Sequence, residues 1–561
     1  MIFFFQKTTS LSFAFLFGAL ANSVLCCLPD SNLPAPLDTH ENPPFEDETK
    51  HLDSPAEVHQ QANDYEVLIM GGGYSPSGNQ FSLESNVKYF LRIKEKLGFS
   101  NSSSQLFFAD GNDPARDLQY FNPKQEIPLV NRALAEIFGK NKGLNHHYRS
   151  NQLQTNGPAS IVALDQWISR QKKAKSTRFN LVYFTGHGGK GSKKEPINTT
   201  AYLWNNQNLS MQHFSKKLDG LPSEQKTVCV MVQCYSGGFA HFMFKEGNHT
   251  KGLSTSPRVG FFATTHDRIA AGCTPDITES DYREYSTTFW EALCGETRMG
   301  MQIPKADFDK NGKTSLAEAH AYVVINSDTI DVPVKTSEIW LRTIFSGQIK
   351  LLQKDQNQEN SVFDQVLGEN SWLGKLGKNP KQRKIHENIL SKEEPEEIAV
   401  IRSLALKFGF SQWPTIDEAD EKIRSLKQKR NVWEQKKNKS LAATRKLRDQ
   451  IKSRIRKFYP ELVNPYHPKS LEVFNGPEKE LFIKKLNFQN QWQQLLVEKE
   501  NFNQIEKKRF ALEKEEVKGI RLKRSIEYIY LWNHLQKKGS HVQKNDFNSL
   551  VKLEKTTFPL R

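Results

Sequence analysis

Five short runs between residues 65 and 345 are apolar at consecutive rather than alternate positions: 66–73 (EVLIMGGG), 105–110 (QLFFAD), 179–188 (FNLVYFTGHG), 226–234 (KTVCVMVQC) and 258–265 (RVGFFATT). A strand with one solvated face alternates apolar and polar residues, whereas a strand covered on both faces does not. Amphipathic stretches at 85–97, 159–173, 211–218 and 239–245 separate the runs and supply crossover helices. The expected fold class is therefore α/β, with a mostly parallel open sheet. Functional residues in such sheets lie just beyond the carboxyl ends of the strands.

Two of the runs end in reactive side chains. One leads into Thr185-Gly186-His187-Gly188-Gly189 and the next into Gln233-Cys234-Tyr235-Ser236-Gly237. Neighbouring parallel strands would then present an imidazole and a thiol at one edge of the sheet. A thiol beside an imidazole can give up its proton and attack a carbonyl, and the protonated ring can later return that proton to a leaving amine. The backbone N–H groups of Gly188 and Cys234 are candidates for an oxyanion hole.

On these paired motifs, residues 65–288 resemble the catalytic domain of the caspase–legumain clan of cysteine peptidases, which includes the gingipains, and most of all the bacterial caspase-like proteins related to legumain. The resemblance implies an α/β/α sandwich and endopeptidase activity after one selected P1 residue, through a Cys–His dyad and a thioester acyl-enzyme. Gln233 directly before Cys234, with Tyr235-Ser236 between the cysteine and glycine, departs from the caspase pattern and leaves the P1 preference open. By the same resemblance, loops 72–79 and 264–273 line the S1 pocket, and Asn79, Thr265 and Asp267 are candidate orienting or pocket residues. Arg268 is the nearby cation for an acidic P1 side chain, while Asp267, Asp276 and Asp281 suit a basic one. Two alternatives stand beside hydrolysis: a transpeptidase or ligase on the same dyad, and a catalytically silent calcium-binding scaffold.

A second motif is independent of the first. From Asp307, the positions Asp309, Asn311, Lys313 (through its carbonyl), Ser315 and Glu318 follow the spacing of an EF-hand loop, with Gly312 at its sharp turn. The expected ligand is a structural Ca2+. No incoming helix is evident, so a solitary loop beside the catalytic region is expected.

Charge and composition divide the rest. Residues 401–561 hold 36 Lys and Arg against 19 Asp and Glu, whereas the other 400 residues hold 42 against 44, so the net charge of +15 belongs to the last third. Apolar residues recur there at helical spacing (Trp433, Leu441, Leu447, Ile451, Ile455; Leu481, Leu486, Trp492, Leu495, Phe502, Ile505), with prolines between the two sets. This predicts a basic antiparallel hairpin or coiled coil over 350–561, with a shorter helix near 526–535. Such a surface suits an anionic membrane surface or an acidic glycan ahead of nucleic acid, with a protein or peptide substrate at the dyad. Residues 1–21 read as a signal peptide and 22–64 as a disordered linker, so the peptidase region spans 65–349 and the chain is expected to be secreted, periplasmic or extracellular for a bacterial host. Six cysteines are too few for a disulfide framework in 561 residues.

Overall fold

The computed structural model describes residues 65–558 apart from 100–102, 139–145, 175–178, 350–393, 412, 464–466 and 488. The expected signal peptide, the linker and the 349/350 boundary fall outside the described residues. Gln61–Arg561 form one compact unit.

In chain order the first elements are β1 (Tyr65–Gly72), α1 (Phe81–Ile93), β2 (Ser103–Phe108), β3 (Leu118–Phe121), α2 (Leu129–Phe138), β4 (His146–Arg149), α3 (Ile161–Lys173) and β5 (Phe179–Gly186). There follow β6 (Gly188–Gly189), β7 (Thr200–Leu203), β8 (Gln207–Ser210), α4 (Met211–Leu218), β9 (Lys226–Met231), β10 (Arg258–Phe262), α5 (Tyr285–Cys294), α6 (Leu316–Asn326), β11 (Val334–Lys335) and α7 (Thr336–Ile344). The main sheet runs β11-β10-β9-β5-β1-β2 and is parallel except for β11. This is the α/β sheet that the apolar runs imply.

Burial explains why those runs do not alternate. Val67 and Ile69 of β1 enter a core with Val87 and Phe90 of α1, Tyr183 and Trp290. Leu68 and Met70, facing the other way, join a second core with Leu164 and Trp167 of α3 and Phe214 of α4. Both faces are dry, so apolar residues fill consecutive strand positions, and the buried polar ones stand near the strand ends, as Glu66, Asn180 and Thr185 do. Two expectations shift. The 226–234 run is strand only to Met231, and 239–245 falls mostly in a 3-10 helix, Ser236–Met243, rather than an amphipathic α-helix. The short sheets β3-β4 and β6-β7-β8 have no comparable apolar run and were not legible.

Beyond residue 393 the chain is helical: α8 (Pro395–Lys407), α9 (Ile416–Phe458), α10 (Pro468–Asn475), α11 (Glu478–Asn487), α12 (Asn490–Lys538) and α13 (His541–Glu554). Thr415 and Glu418 form a capping box that starts α9. The pairs Arg430–Glu516, Ser440–Glu498 and Arg454–Gln491 show α9 and α12 running antiparallel. The shorter helix expected at 526–535 is instead continuous with α12. No glycine or proline lies between 520 and 538 to break it.

This helical part shares the sheet's own core. Tyr528, Ile529 and Leu531 of α12 and Phe547, Leu550 and Leu553 of α13 belong to the cluster that contains Val67, Phe261 and Trp340. Phe558 packs edge-on against Phe99, 4.7 Å between centroids, and also meets Tyr65 and Phe179. The tip of the hairpin meets α2, where Glu136 pairs with both Arg448 and Lys499. Among the described residues, no helix is long and apolar enough to cross a membrane.

Candidate active site

The sheet order makes a crevice. From β1 the chain goes outward to β2 and then returns to β5 on the other side of β1, so the carboxyl ends of β1 and β5 form a topological switch point. His187 directly follows β5. The β5–β9 register ends at Phe184↔Met231, and Cys234 lies in the turn that follows β9. The loops touch there: a Cβ added to Gly188 would lie 2.3 Å from the Cys234 carbonyl oxygen. No hydrogen bond joins the His187 ring to Cys234 Sγ; each is held by a different loop.

His187 Nε2 lies 2.8 Å from the Gly78 carbonyl oxygen. A carbonyl only accepts, so Nε2 carries the proton and the neutral ring keeps its lone pair on Nδ1. Burial pushes the ring's pKa below the usual histidine range, against the pull of the Gly78 carbonyl. The Tyr74 ring stands edge-on at 5.5 Å.

The 73–79 loop that supplies Gly78 is clamped from behind. Asn79 is fully buried; its Oδ1 accepts from Gly73 N–H at 3.1 Å and its Nδ2 donates to Asp117 Oδ2 at 2.7 Å. Gly73 has no room for a Cβ, which would lie 2.2 Å from Asn79 N. Asn79 therefore does not touch the imidazole, and the backbone next to it does.

Asp117 in turn shares a proton site with Asp110, just past β2. Burial first, and then the Asp117 charge, push the Asp110 carboxyl up to about 7. An aspartate whose folded pKa lies above its unfolded value of about 3.9 makes the fold less stable as pH rises from that value toward 7. Asp110→Asn still donates to Asp117 but cannot ionise. Its thermal midpoint is expected to exceed the wild type's near neutrality and to fall less between about pH 4 and pH 7, as scanning calorimetry across that range would show.

Cys234 is half-buried. Its Sγ accepts from Ala270 N–H at 3.3 Å. Burial, with the Asp331 charge adding to it, raises the thiol pKa despite its contacts with backbone groups. Tyr235 follows in the left-handed region (φ 62°, ψ 17°), a conformation rare outside glycine and asparagine. It persists because Tyr235 N–H donates to Arg268 O at 2.8 Å and Gly237 N–H to Thr264 O at 2.8 Å. Strained backbone of this kind concentrates at functional sites.

The remaining predicted residues divide. Thr265 Oγ1 donates to Asp267 Oδ1 at 2.6 Å. Burial works to raise the Asp267 carboxyl, and the Thr265 hydroxyl with neighbouring His266 and Arg268 outweighs it, leaving the pKa low. Asp276 is spent on its own turn, accepting from Thr278 N–H and Oγ1–H. Cys229, Cys234, Cys273 and Cys294 are free thiols. Asp117, Asp110, Asp331 and the Gly78 carbonyl escaped the sequence; an isolated aspartate and a backbone oxygen carry no motif.

In the second motif, carboxylate oxygens of Asp307, Asp309 and Glu318 lie within 4.8 Å of one another. Asp307 Oδ1 is buried and has no hydrogen-bond partner, as suits a cation ligand. Glu318, however, is also the N3 residue of a capping box with Ser315 and accepts from Phe308 and Asp309 N–H. Gly312, at φ 84°, makes the turn that its position requires. As expected, no helix leads into the loop, and residues 303–306 are irregular.

No family model matches this chain. No curated protein matches it by sequence. Among solved structures, the protein GSU0716 from Geobacter sulfurreducens aligns over 37% of this chain and 77% of its own, at 7% identity and a TM-score of 0.22. At that score the likeness carries no argument, and the mostly parallel α/β sheet stands on its own topology.

Proposed function

We propose that the chain is a cysteine endopeptidase of the caspase–legumain clan, with Cys234 as nucleophile and His187 as base. The observation that carries this reading is the place of the two residues just beyond the carboxyl ends of adjacent parallel strands, β5 and β9, with the imidazole tautomer set by Gly78. The lowered pKa of the His187 ring and the raised pKa of the half-buried Cys234 thiol both favour uncharged forms at rest. On substrate binding, His187 Nδ1 takes the thiol proton as Sγ attacks the scissile carbonyl. The Gly78 carbonyl then stabilises the imidazolium through Nε2–H. The ring returns its proton to the departing amine, leaving a thioester, and water deacylates it with Nδ1 again as base. The N–H groups of Gly188 and Cys234 are the proposed oxyanion donors.

Incubation of the chain with a peptide library, read by mass spectrometry, tests this. Cleavage after one selected residue type is expected. Joined peptides would favour the ligase alternative, and an unchanged library would sink both. Export remains part of the proposal and rests on residues 1–21. An acidic partner for the basic hairpin rests on its charge alone.

Ca2+ binding by 307–318 belongs to the same proposal, as a structural role. Calorimetry is expected to show about one equivalent bound and uptake lost in Asp307→Ala. Glu318→Ala also removes a helix cap worth about 1 kcal/mol, so Asp307→Ala is the cleaner test. Unchanged uptake in that variant would end the calcium reading.

A further inference from the structure

The hairpin helix α12 reaches the nucleophile through a short relay. Arg521, 2% exposed, spends its guanidinium on one loop: Nε donates to Asp331 O at 2.8 Å, Nη1 to Ser327 O at 2.7 Å and Val324 O at 3.3 Å, and Nη2 to Thr329 O at 3.1 Å. These carbonyls lie in and just beyond the last turn of α6, where an arginine satisfies groups the helix leaves unpaired. Asp331, fully buried in that loop, accepts from Ala271 N–H at 2.7 Å through Oδ1. The preceding amide, Ala270 N–H, is the donor to Cys234 Sγ. Two successive amides therefore face in different directions, one fixed by the Asp331 carboxylate and the other on the sulfur.

We propose that Arg521 and Asp331 are positioning residues for Cys234, so that the C-terminal helical hairpin sets the hydrogen-bond environment of the nucleophile. The proposal rests on the reading of Cys234 as the peptidase nucleophile. An N–H held at the sulfur favours the thiolate over the thiol. If α12 lets go of the 327–331 loop, Asp331 loses its anchor, and the Ala270–Ala271 backbone can turn its donor away from Sγ. A lysine in place of Arg521 keeps the charge but cannot present a planar fork to four carbonyls.

The test is the rate at which iodoacetamide alkylates Cys234 in the full chain across about pH 6 to pH 9, a range spanning ordinary thiol titration, read by mass spectrometry at that residue. Arg521→Lys relative to the wild type, and Asp331→Ala relative to the equally uncharged Asp331→Asn, are each expected to slow alkylation near neutrality by roughly fivefold, the worth of one hydrogen bond, and to move the pH midpoint upward. Asp331→Asn keeps the acceptor for Ala271 and removes the charge, so its rate should equal or exceed the wild type's. On a peptide substrate the two slow variants should lose kcat with KM unchanged.

An Arg521→Lys chain that melts cooperatively yet matches the wild-type rate and midpoint would overturn the proposal. So would an Asp331→Asn loss equal to that of Asp331→Ala. Should Arg521→Lys fail to fold, Asp331→Ala against Asp331→Asn decides alone, because both remove the same charge facing Arg521. A chain whose variants alkylate as expected but whose wild type cleaves no peptide would overturn the peptidase reading and leave the positioning role standing.

Discussion

Cys234→Ala is expected to lower kcat/KM on the best library peptide by about three orders of magnitude or more, because the thioester cannot form without the sulfur. His187→Ala should fall by a similar factor, and the double variant should be little worse than either alone, since the two side chains act as one unit. Steady-state assays of the three variants check this; a double variant showing the product of the two separate losses would place the residues in different steps. The resting pair also has a signature in pH. With the His187 pKa lowered and the Cys234 pKa raised by burial, alkylation should accelerate toward alkaline pH. A fast plateau in mild acid would indicate a thiolate–imidazolium pair instead.

Gly188→Ala should also be damaging, by a smaller factor and for a different reason. The new Cβ would meet the Cys234 carbonyl oxygen at 2.3 Å and Gln233 Cγ at 2.6 Å, whereas real Cβ atoms essentially never approach within 3.0 Å. Relief requires the Cys234 backbone to move, because a carbonyl cannot swing aside as a side-chain tip can. A displacement approaching an ångström at the reacting atom costs about a hundredfold in rate. The expected result is a kcat loss of that order with the thermal midpoint shifted by only a few degrees. A variant with wild-type kcat would show that the two loops are looser than they stand here.

The parts legible in sequence were those where one physical requirement fixes residue type over several positions. Double-sided burial made the five strand runs readable, because both faces of their central positions call for apolar residues. His187 and Cys234 were legible because glycines and strand ends frame them. Asp307 through Glu318 stood out because their spacing follows one loop pattern. What escaped depends on tertiary pairing. Asp117 matters only because Asn79, 38 residues earlier, bonds to it. Asp331 and Arg521 look like two more charges among many until the fold brings them together. The basic last third, whose composition suggested a separable module, buries Tyr528, Leu531 and Phe547 in the same core as the sheet. Its surface charge concealed that shared interior.

Phe558 carries a consequence for the order of events during synthesis. Its ring completes an aromatic cluster with Tyr65, Phe99 and Phe179, so the first and third of the predicted strands finish their packing only against a residue made hundreds of steps later. Contacts of such sequence separation form late and slowly. A growing chain therefore leaves this aromatic cluster unfinished until Phe558 has been made.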